Sequence, residues 1–323
     1  MKILYIPSGH KGIYTFFDRS LFRAFNKLSI PFVVHHPLEP IQKLTELLLK
    51  FQPDLALTMI GDKIPLQKLK LMKKRNVLAA VWLTEDPYYL KKTIQYAFWF
   101  DFVFTVDRFS AGWYQKQGIQ NAFYLPLGTD FSTFYPKQAA PLFKSDICII
   151  GYPYENRKKL AELLIKETPY RVKLVGLWKL NLSKHQQKRV SIHYGWVSPG
   201  IASSYYNSAE INVNTLRPIN DSHNDTLDFI PFRSLNNRTF DLAACGAFQI
   251  AEKSDDLEDF FMEEEEICIF SDFQEAVQKI DRYMKNKQKR ERIGRNAQKT
   301  AKSRDSFENR LKQMIDSISG KNE

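Results

Sequence analysis

The sequence predicts an α/β protein built from two doubly wound domains, each with a parallel β-sheet. Short apolar segments alternate with amphipathic segments from residue 2 to residue 106, and the same alternation restarts near residue 147. Strands that are apolar along their whole length and lie between helices are typical of a parallel sheet covered on both faces. The stretch 128–145 between the halves is rich in turn residues and has no period, which indicates a linker.

We assign strands to continuously apolar segments and helices to segments whose apolar residues lie three or four apart. In the first half, the predicted strands are 2–7, 32–34, 55–60, 77–83 and 102–106, and the predicted helices are 17–28, 41–51, 65–75 and 88–98. In the second half, the predicted strands are 147–150, 172–175, 192–196, 211–214, 247–251 and 267–270, with helices at 157–167, after 234 and after the last strand.

The predicted domains are 1–140 and 141–303, and a final helix over 304–323 is expected to pack back on the first domain. Each domain has the alternating pattern of a Rossmann-like unit. Because such sheets bind ligands outside the carboxyl ends of their strands, we expect the two domains to line a central cleft.

Composition excludes several classes of protein. No stretch offers the roughly 20 mostly apolar residues of a membrane span, and the first residues do not follow a signal-peptide pattern. The cysteines Cys148, Cys245 and Cys268 lie in apolar runs without C-x-x-C spacing, which favours buried, reduced thiols over a zinc site. We therefore expect a cytoplasmic protein.

The net charge of +11 is concentrated near the C-terminus. Residues 282–304, here called the basic stripe, hold ten Lys or Arg and one acid, and residues 252–266 hold nine acids and one lysine. Such a stripe can attract nucleic acid or an anionic membrane. It has no interleaved aromatic residues and no nucleic-acid motif, which favours a solvated helix face. Peripheral membrane contact stays open.

Motifs that the chain lacks narrow the chemistry. No G-x-G-x-x-G follows the first strand, and no G-x-x-x-x-G-K-[ST] occurs, which disfavours dinucleotide dehydrogenases and P-loop enzymes. No Asp-x-Asp pair is present to hold a divalent metal against a nucleotide diphosphate. A diphosphate leaving group would then need protein cations and a helix N-terminus to stabilise its charge.

The segment SLNNRTFDLAACGAFQIAE, which begins at Ser234, predicts such a helix. Ser234 is the expected N-cap, and Gly246 the expected left-handed end. Asn237, Arg238 and Asp241 share one side because they lie three or four residues apart. Arg238 would reach a phosphate at the helix start, and Asp241 would accept hydrogen bonds from a ribose diol. An ordinary Arg–Asp pair on the helix surface is the alternative.

The first domain offers three candidate catalytic residues at its predicted strand ends. His10 lies in a Gly-His-Lys-Gly turn after the first strand, and Glu85 and Asp86 follow the fourth. One of these groups would serve as general base for an acceptor hydroxyl or would bind the acceptor. A plain Asp-Pro turn is the alternative for Glu85 and Asp86.

NRTFDLAACGAF, with NTLRPINDSHND upstream, resembles the donor-binding segment of the GT-B "group 1" glycosyltransferases, and most of all their spore-maturation, CgeB-like branch. The segments IIGYPYENRKKL, HYGWVSPGIASSYYNSAEINVN, WLTEDP and YLPLGTD also resemble that branch, so the resemblance covers nearly the whole chain. Each motif is loose alone, but their order and spacing are specific.

The resemblance implies a GT-B fold and a set of donor contacts. Asp241 would contact the ribose, where the family more often has the longer Glu, and Arg238 would bind the diphosphate. The resemblance also implies further contacts by position. Arg157, after the Gly151 turn, would bind the diphosphate, and Trp196 and Val197 would contact the base. His223 and Asn224 would lie over the sugar. A metal site formed by His223 and the neighbouring aspartates is disfavoured, because no second histidine lies at ligand spacing.

The predicted function is a metal-independent glycosyltransferase with a nucleotide-diphosphate sugar as donor and no cofactor. The acceptor would be a hydroxyl of a carbohydrate, a protein or a polyol, and the family branch implies spore-surface glycosylation in the mother-cell cytoplasm. Two alternatives remain: a catalytically degenerate scaffold that binds a nucleotide or glycan, and a nucleic-acid-binding protein that uses the basic stripe.

Overall fold

The computed structural model describes residues 1–230 and 234–320, and the chain forms two compact units. The first unit takes residues from 1–128, 222–234 and 307–323, and the second takes residues from 129–221 and 235–306. Strands and helices are numbered along the chain. No helix among the described residues is long and apolar enough to cross a membrane.

The first unit contains a six-stranded parallel sheet with the order β2-β1-β3-β4-β5-β6. Its strands are β1 (Ile3–Ile6), β2 (Phe32–Val34), β3 (Leu55–Met59), β4 (Leu78–Leu83), β5 (Phe102–Thr105) and β6 (Ala122–Tyr124). The chain moves outward from β1 in opposite directions to β2 and β3. This reversal leaves a crevice outside the carboxyl ends of β1 and β3, where open α/β sheets bind ligands.

Helices cover this sheet on both sides because each has one apolar face. They are α1 (Ile13–Lys27), α2 (Ile41–Phe51), α3 (Leu66–Lys74), α4 (Leu90–Ala97), α5 (Arg108–Lys116) and, from the end of the chain, α12 (Phe307–Ile318). Phe307, Leu311 and Met314 of α12 are almost completely buried in the same core as Phe17 and Trp82. The last residues of the predicted 304–323 helix, 321–323, lie outside the described residues.

The second unit contains a six-stranded parallel sheet with the order β12-β11-β10-β7-β8-β9. Its strands are β7 (Ser145–Ile150), β8 (Val172–Gly176), β9 (Val190–Tyr194), β10 (Ala209–Asn214), β11 (Gln249–Glu252) and β12 (Cys268–Phe270). Here the strand order reverses between β7 and β10. The prediction of two parallel, doubly wound sheets is confirmed.

The helices of the second unit include one that starts later than the sequence predicted. They are α6 (Glu155–Glu167), α7 (Lys184–Gln187), α8 (Pro199–Ser208), α9 (Asn237–Ala244), α10 (Phe273–Met284) and α11 (Lys287–Arg304). The N-cap of α9 is Asn236, whose side chain accepts a hydrogen bond from the amide of Thr239. Ser234 was wrong as the cap, because its hydroxyl donates instead to Asp107 of the first unit. Gly246 has a φ of 64° and ends α9 as predicted.

The segment 222–234 belongs to the first unit, whereas the sequence analysis placed it in the second domain. Its backbone pairs with the loop after β4 and with the start of α4: the amide of Asp225 donates to the carbonyl of Tyr88 (2.9 Å), and the amide of Lys91 donates to the carbonyl of Asp225 (3.1 Å). The hydroxyl of Thr226 also donates to the carbonyl of Pro87. These long-range bonds have no local sequence signal.

Candidate active site

A glycine and an asparagine mark the crevice of the second sheet. Gly151 follows β7, and Asn214 ends β10, the strand beside it. Gly151 has a φ of 133°, a conformation that favours glycine. A Cβ there would lie 2.6 Å from the guanidinium of Arg157 and 2.8 Å from that of Arg238. Glycine therefore lets two cations approach the backbone at one point.

Arg157 is fixed in place by backbone and side-chain acceptors. It is 3% exposed. Its Nε donates to the hydroxyl of Thr215 (2.6 Å), and its two terminal nitrogens donate to the carbonyls of Thr215 (2.9 Å) and Tyr152 (2.6 Å). The guanidinium is thus oriented by the loops that follow β7 and β10.

Arg238 lies in the first turn of α9 and is half-buried. Its guanidinium donates to the side-chain oxygen of Asn214 (3.2 Å), which also accepts from Asn236 (3.0 Å). No carboxylate of the described residues forms an ion pair with Arg238. Guanidinium groups and helix N-termini are both groups that bind phosphate-bearing anions in proteins.

Asp241 lies one turn farther along α9 and is 7% exposed. Its carboxyl oxygens accept hydrogen bonds from the hydroxyl of Thr129 (2.8 Å) and from the side-chain amide of Asn237 (3.2 Å). The i, i+4 contact confirms that Asn237 and Asp241 share one side of the helix. Burial raises the pKa of Asp241 to about 7, against the hydrogen bond from Thr129 and the charge of Arg238. Both carboxyl oxygens of Asp241 thus already accept a hydrogen bond within the second unit.

Trp196 and Val197 follow β9, which forms an edge of the second sheet. The indole of Trp196 is 63% exposed. Val197 instead packs against the buried Cys148, Val175 and Tyr205. Of the two, Trp196 has an open aromatic face on which a base can stack, and Val197 belongs to a small apolar cluster.

In the first unit, His10 forms a dyad with an aspartate that the sequence analysis missed. Nε2 of His10 lies 3.0 Å from Oδ1 of Asp62, and Nζ of Lys92 lies 2.9 Å from Oδ2. Burial alone would raise the pKa of Asp62, but the hydrogen bonds from His10 and Lys92 bring it below the usual range. An ionised Asp62 can accept the proton on Nε2, and in the neutral tautomer that makes this hydrogen bond the lone pair lies on Nδ1 of His10. Asp62 lies two residues after the predicted third strand, and this position at a strand end was the sequence signal that could have identified it.

Tyr14 contacts both Glu85 and His10. The hydroxyl of Tyr14 donates to Glu85 (2.5 Å) and lies 3.0 Å from the hydroxyl of Thr84. The ring of Tyr14 lies 5.8 Å from that of His10. Glu85 is half-buried. The carboxyl ends of β1, β3 and β4 thus bring together an imidazole, a carboxylate and a phenol.

Asp86 points into the core instead. It is 3% exposed, and its oxygens accept from the hydroxyls of Thr93 (3.3 Å), Thr105 (2.8 Å) and Tyr114 (3.1 Å). Burial raises its pKa to about 7, against the hydrogen bond from Thr105. In this arrangement Asp86 links β4, β5, α4 and α5.

His223 and Asn224 lie in the segment that packs on the first unit. Each of these residues forms at least one contact within the described chain. No group of three or more His, Cys, Asp or Glu able to hold a metal ion occurs in the described parts of the chain.

The basic stripe forms α11 and the end of α10, where acidic residues pair with it. Glu264 accepts from Arg282 (3.3 Å) and from Lys289, and Glu265 accepts from Arg292 (3.3 Å). These acids belong to the acidic stretch 252–266. Acidic side chains therefore compensate much of the positive charge of the basic stripe in the folded chain.

Comparison with known proteins supports the resemblance seen in the sequence. A family model described as "Glycosyl transferase-like" matches residues 157–316. The chain is 36% identical over 258 residues to the spore protein CgeB of Bacillus subtilis, which covers 78% of this chain and 80% of that protein.

Solved structures share the fold over the full length. Sucrose-phosphate synthase from Thermosynechococcus elongatus has a TM-score of 0.65 at 13% identity and covers 99% of both chains. HepE from Anabaena, solved in complex with UDP-glucose, has a TM-score of 0.61 at 16% identity and covers 99% of this chain and 100% of its own. Two parallel six-stranded sheets and these neighbours identify the fold as GT-B. The chain therefore belongs to the glycosyltransferase family that includes the spore protein CgeB.

Proposed function

We propose that the chain transfers a sugar from a nucleotide-diphosphate sugar to an acceptor hydroxyl, with the donor bound by the second unit. The observation that carries this proposal is the pair of guanidinium groups, Arg157 and Arg238, at Gly151 beside the start of α9. Such a site matches the charge of a diphosphate. HepE, a structural neighbour, was solved with UDP-glucose, which makes a uridine donor the first to test.

The donor would contact the residues around these cations. Asp241 would accept from the ribose hydroxyls, Asn237 would orient Asp241, and the exposed ring of Trp196 would stack on the base. Val197 would support the loop that carries Trp196. His223 and Asn224 are proposed as polar contacts for the transferred sugar.

We further propose that the reaction needs neither a metal ion nor a cofactor. As the bond to the sugar breaks, charge develops on the diphosphate, and Arg157, Arg238 and the amide dipoles of α9 would stabilise it. Turnover should then persist in EDTA. Turnover that is lost in EDTA and restored by Mg²⁺ or Mn²⁺ would refute metal independence without touching the donor assignment.

On the acceptor side, Nδ1 of His10 would take the hydroxyl proton while Asp62 stabilises the resulting imidazolium. Glu85 would bind the acceptor or share this role through Tyr14. Asp86, buried among three hydroxyls, would act on these groups only by holding the end of β4.

The experiment measures binding and turnover separately. Thermal shift with UDP, GDP and TDP identifies the nucleotide, and release of the nucleotide from the matching donor reports turnover. We expect Arg238→Ala and Asp241→Ala to weaken nucleotide binding about tenfold or more, because the first removes a charged contact to the diphosphate and the second removes the acceptor for the ribose hydroxyls. Arg295→Ala, an exposed arginine on α11, is the matched control and should bind as the unaltered chain does. If both site variants keep full affinity and turnover, the donor site is misassigned.

Binding without any turnover of a donor would favour the degenerate-scaffold alternative. The ion pairs of the basic stripe argue against a nucleic-acid partner, and salt-dependent binding to DNA or RNA would reverse that conclusion.

A role in glycosylating a carbohydrate, protein or polyol of the spore surface, in the mother-cell cytoplasm, rests on the similarity to CgeB. Its test is the glycan composition of the spore surface in a strain whose copy carries Arg238→Ala.

A further inference from the structure

A cavity separate from the crevice at Gly151 lies in the second unit. It is at the amino ends of the strands, whereas Gly151 is at their carboxyl ends. Its volume is about 700 Å³, within the range of about 300–1,000 Å³ that ligand pockets have. It is lined by the amino ends of β7 and β10, by the turn Cys245–Phe248 after α9, and by the first turn of α11. No role proposed above uses it.

Positive charge dominates the lining. Five basic side chains and three acidic ones border the cavity. Asp146 pairs with Arg171 (3.0 Å) and Glu210 pairs with Arg290, so two of the three acids are already neutralised.

The remaining cations are the groups that a ligand would meet. Lys137 and Lys144 form no ion pair among the described residues, and the ammonium of Lys287 lies 3.8 Å from its nearest acid, Glu291. Two ammonium groups without an ion pair in the described chain, Lys137 and Lys144, therefore border the cavity from the loop before β7, and Lys287 at the start of α11 is held only by a long contact to Glu291.

Two further features point to an anion. The first turn of α11, an 18-residue helix capped by Asn286, lines the cavity, so its amide dipoles add to the positive potential. Independently, Ser145 also lines the cavity, is 4% exposed, and its hydroxyl has no hydrogen-bond partner in the described chain. A buried hydroxyl without a partner is uncommon in native proteins, and a ligand oxygen would satisfy it.

We propose that this cavity is a second anion site, which binds a small polar molecule through a phosphate or diphosphate group. The ammonium groups of Lys137, Lys144 and Lys287 would neutralise the phosphate, and the hydroxyl of Ser145 would donate to one of its oxygens. The polar walls suit a hydrophilic remainder, as in a sugar phosphate or nucleoside phosphate, better than a lipid tail.

Calorimetric titration of the full chain with inorganic pyrophosphate at constant ionic strength tests the proposal. The titration uses the Arg238→Ala background, so that the proposed donor site contributes little. Binding should persist in that background and weaken about tenfold or more when Lys144→Ala and Lys287→Ala are added. Lys299→Ala with Lys302→Ala removes the same charge from exposed positions farther along α11 and should change nothing.

Ser145→Ala separates a specific site from general attraction. Because the hydroxyl has no partner in the described chain, its loss should leave the melting temperature unchanged but weaken pyrophosphate binding. The proposal is overturned if Arg238→Ala alone abolishes binding, or if the control pair weakens it as much as the cavity pair. Donor binding in the unaltered chain is measured separately, so either result leaves the proposed function standing.

Discussion

Two buried carboxyl groups, Asp86 and Asp241, have pKa values raised to about 7 mainly by burial. A raised folded pKa means that the folded state prefers the protonated acid. The stabilisation that the protonated acid gives the folded state is complete below the pKa of the unfolded chain, about 3.9. This stabilisation is lost as the pH rises from there to the folded pKa of about 7. The titration of these two residues therefore makes the folded state less stable at neutral pH than near pH 4.

Asp86→Asn tests this, because asparagine keeps the shape but carries no charge. We expect the variant to be more stable than the unaltered protein at pH 8, by at most about 4 kcal/mol for a shift of about three units, with no gain at pH 4. Denaturant unfolding at both pH values measures the difference. Asp228→Asn, at a fully exposed carboxylate, should show no such dependence on pH. A gain for Asp86→Asn that is equal at both pH values would contradict the burial explanation.

At the scale of the element, the N-cap of α9 both stabilises the helix and contacts the proposed donor site. Asn236 accepts from the amide of Thr239 (3.3 Å) and donates to Asn214, the same residue that Arg238 contacts. The cap residue therefore fixes the start of the helix and the acceptor that orients Arg238.

Asn236→Ala should lower stability by about 0.5–2 kcal/mol, the usual cost of losing a cap. It should also weaken nucleotide binding, because Asn214, the acceptor that orients Arg238, loses the hydrogen bond that Asn236 donates to it. Asp272→Ala removes the N-cap of α10, which accepts from Glu275 (2.9 Å), and serves as the matched control. If both cap variants affect nucleotide binding equally, the effect is one of stability alone.

At the scale of the whole molecule, each unit has its own hydrophobic core, and the chain crosses between the units more than once. The first core is completed only by α12, which comes from the end of the chain. The first core therefore cannot be cut out as one continuous segment, whereas the residues of the second core all lie between Ile147 and Ile293.

Leu311→Ala and Leu164→Ala form a matched pair, since both leucines are 0% exposed and each lies in a different core. Each should cost about 2–5 kcal/mol for the cavity it leaves. Calorimetry should show that Leu311→Ala lowers the transition of the first unit, whereas Leu164→Ala lowers the transition that UDP stabilises. A single transition shifted equally by both would show that the units unfold together.

Local patterns were enough to predict the two sheets and most helices. Apolar segments and helical spacing depend on neighbours in the sequence, and every strand named in the sequence analysis overlaps a strand of the fold. The same reasoning located Gly151, Arg238 and His10 at the ends of strands and the start of a helix, where chemistry is expected. The end of α9 at Gly246 was likewise predictable, because a left-handed cap is a local property.

The sequence by itself determined the doubly wound architecture, the family resemblance and the strand ends that carry polar residues. Only the tertiary structure decided that Asp62 pairs with His10, that Asp86 turns into the core, that 222–234 joins the first unit, and that acids compensate the basic stripe. These outcomes depend on partners up to 139 residues away, such as Thr105 for Asp86 and Pro87 for Thr226. Hydrogen bonding and burial between such distant residues follow from how the sheets are assembled, and no local period in the sequence encodes them.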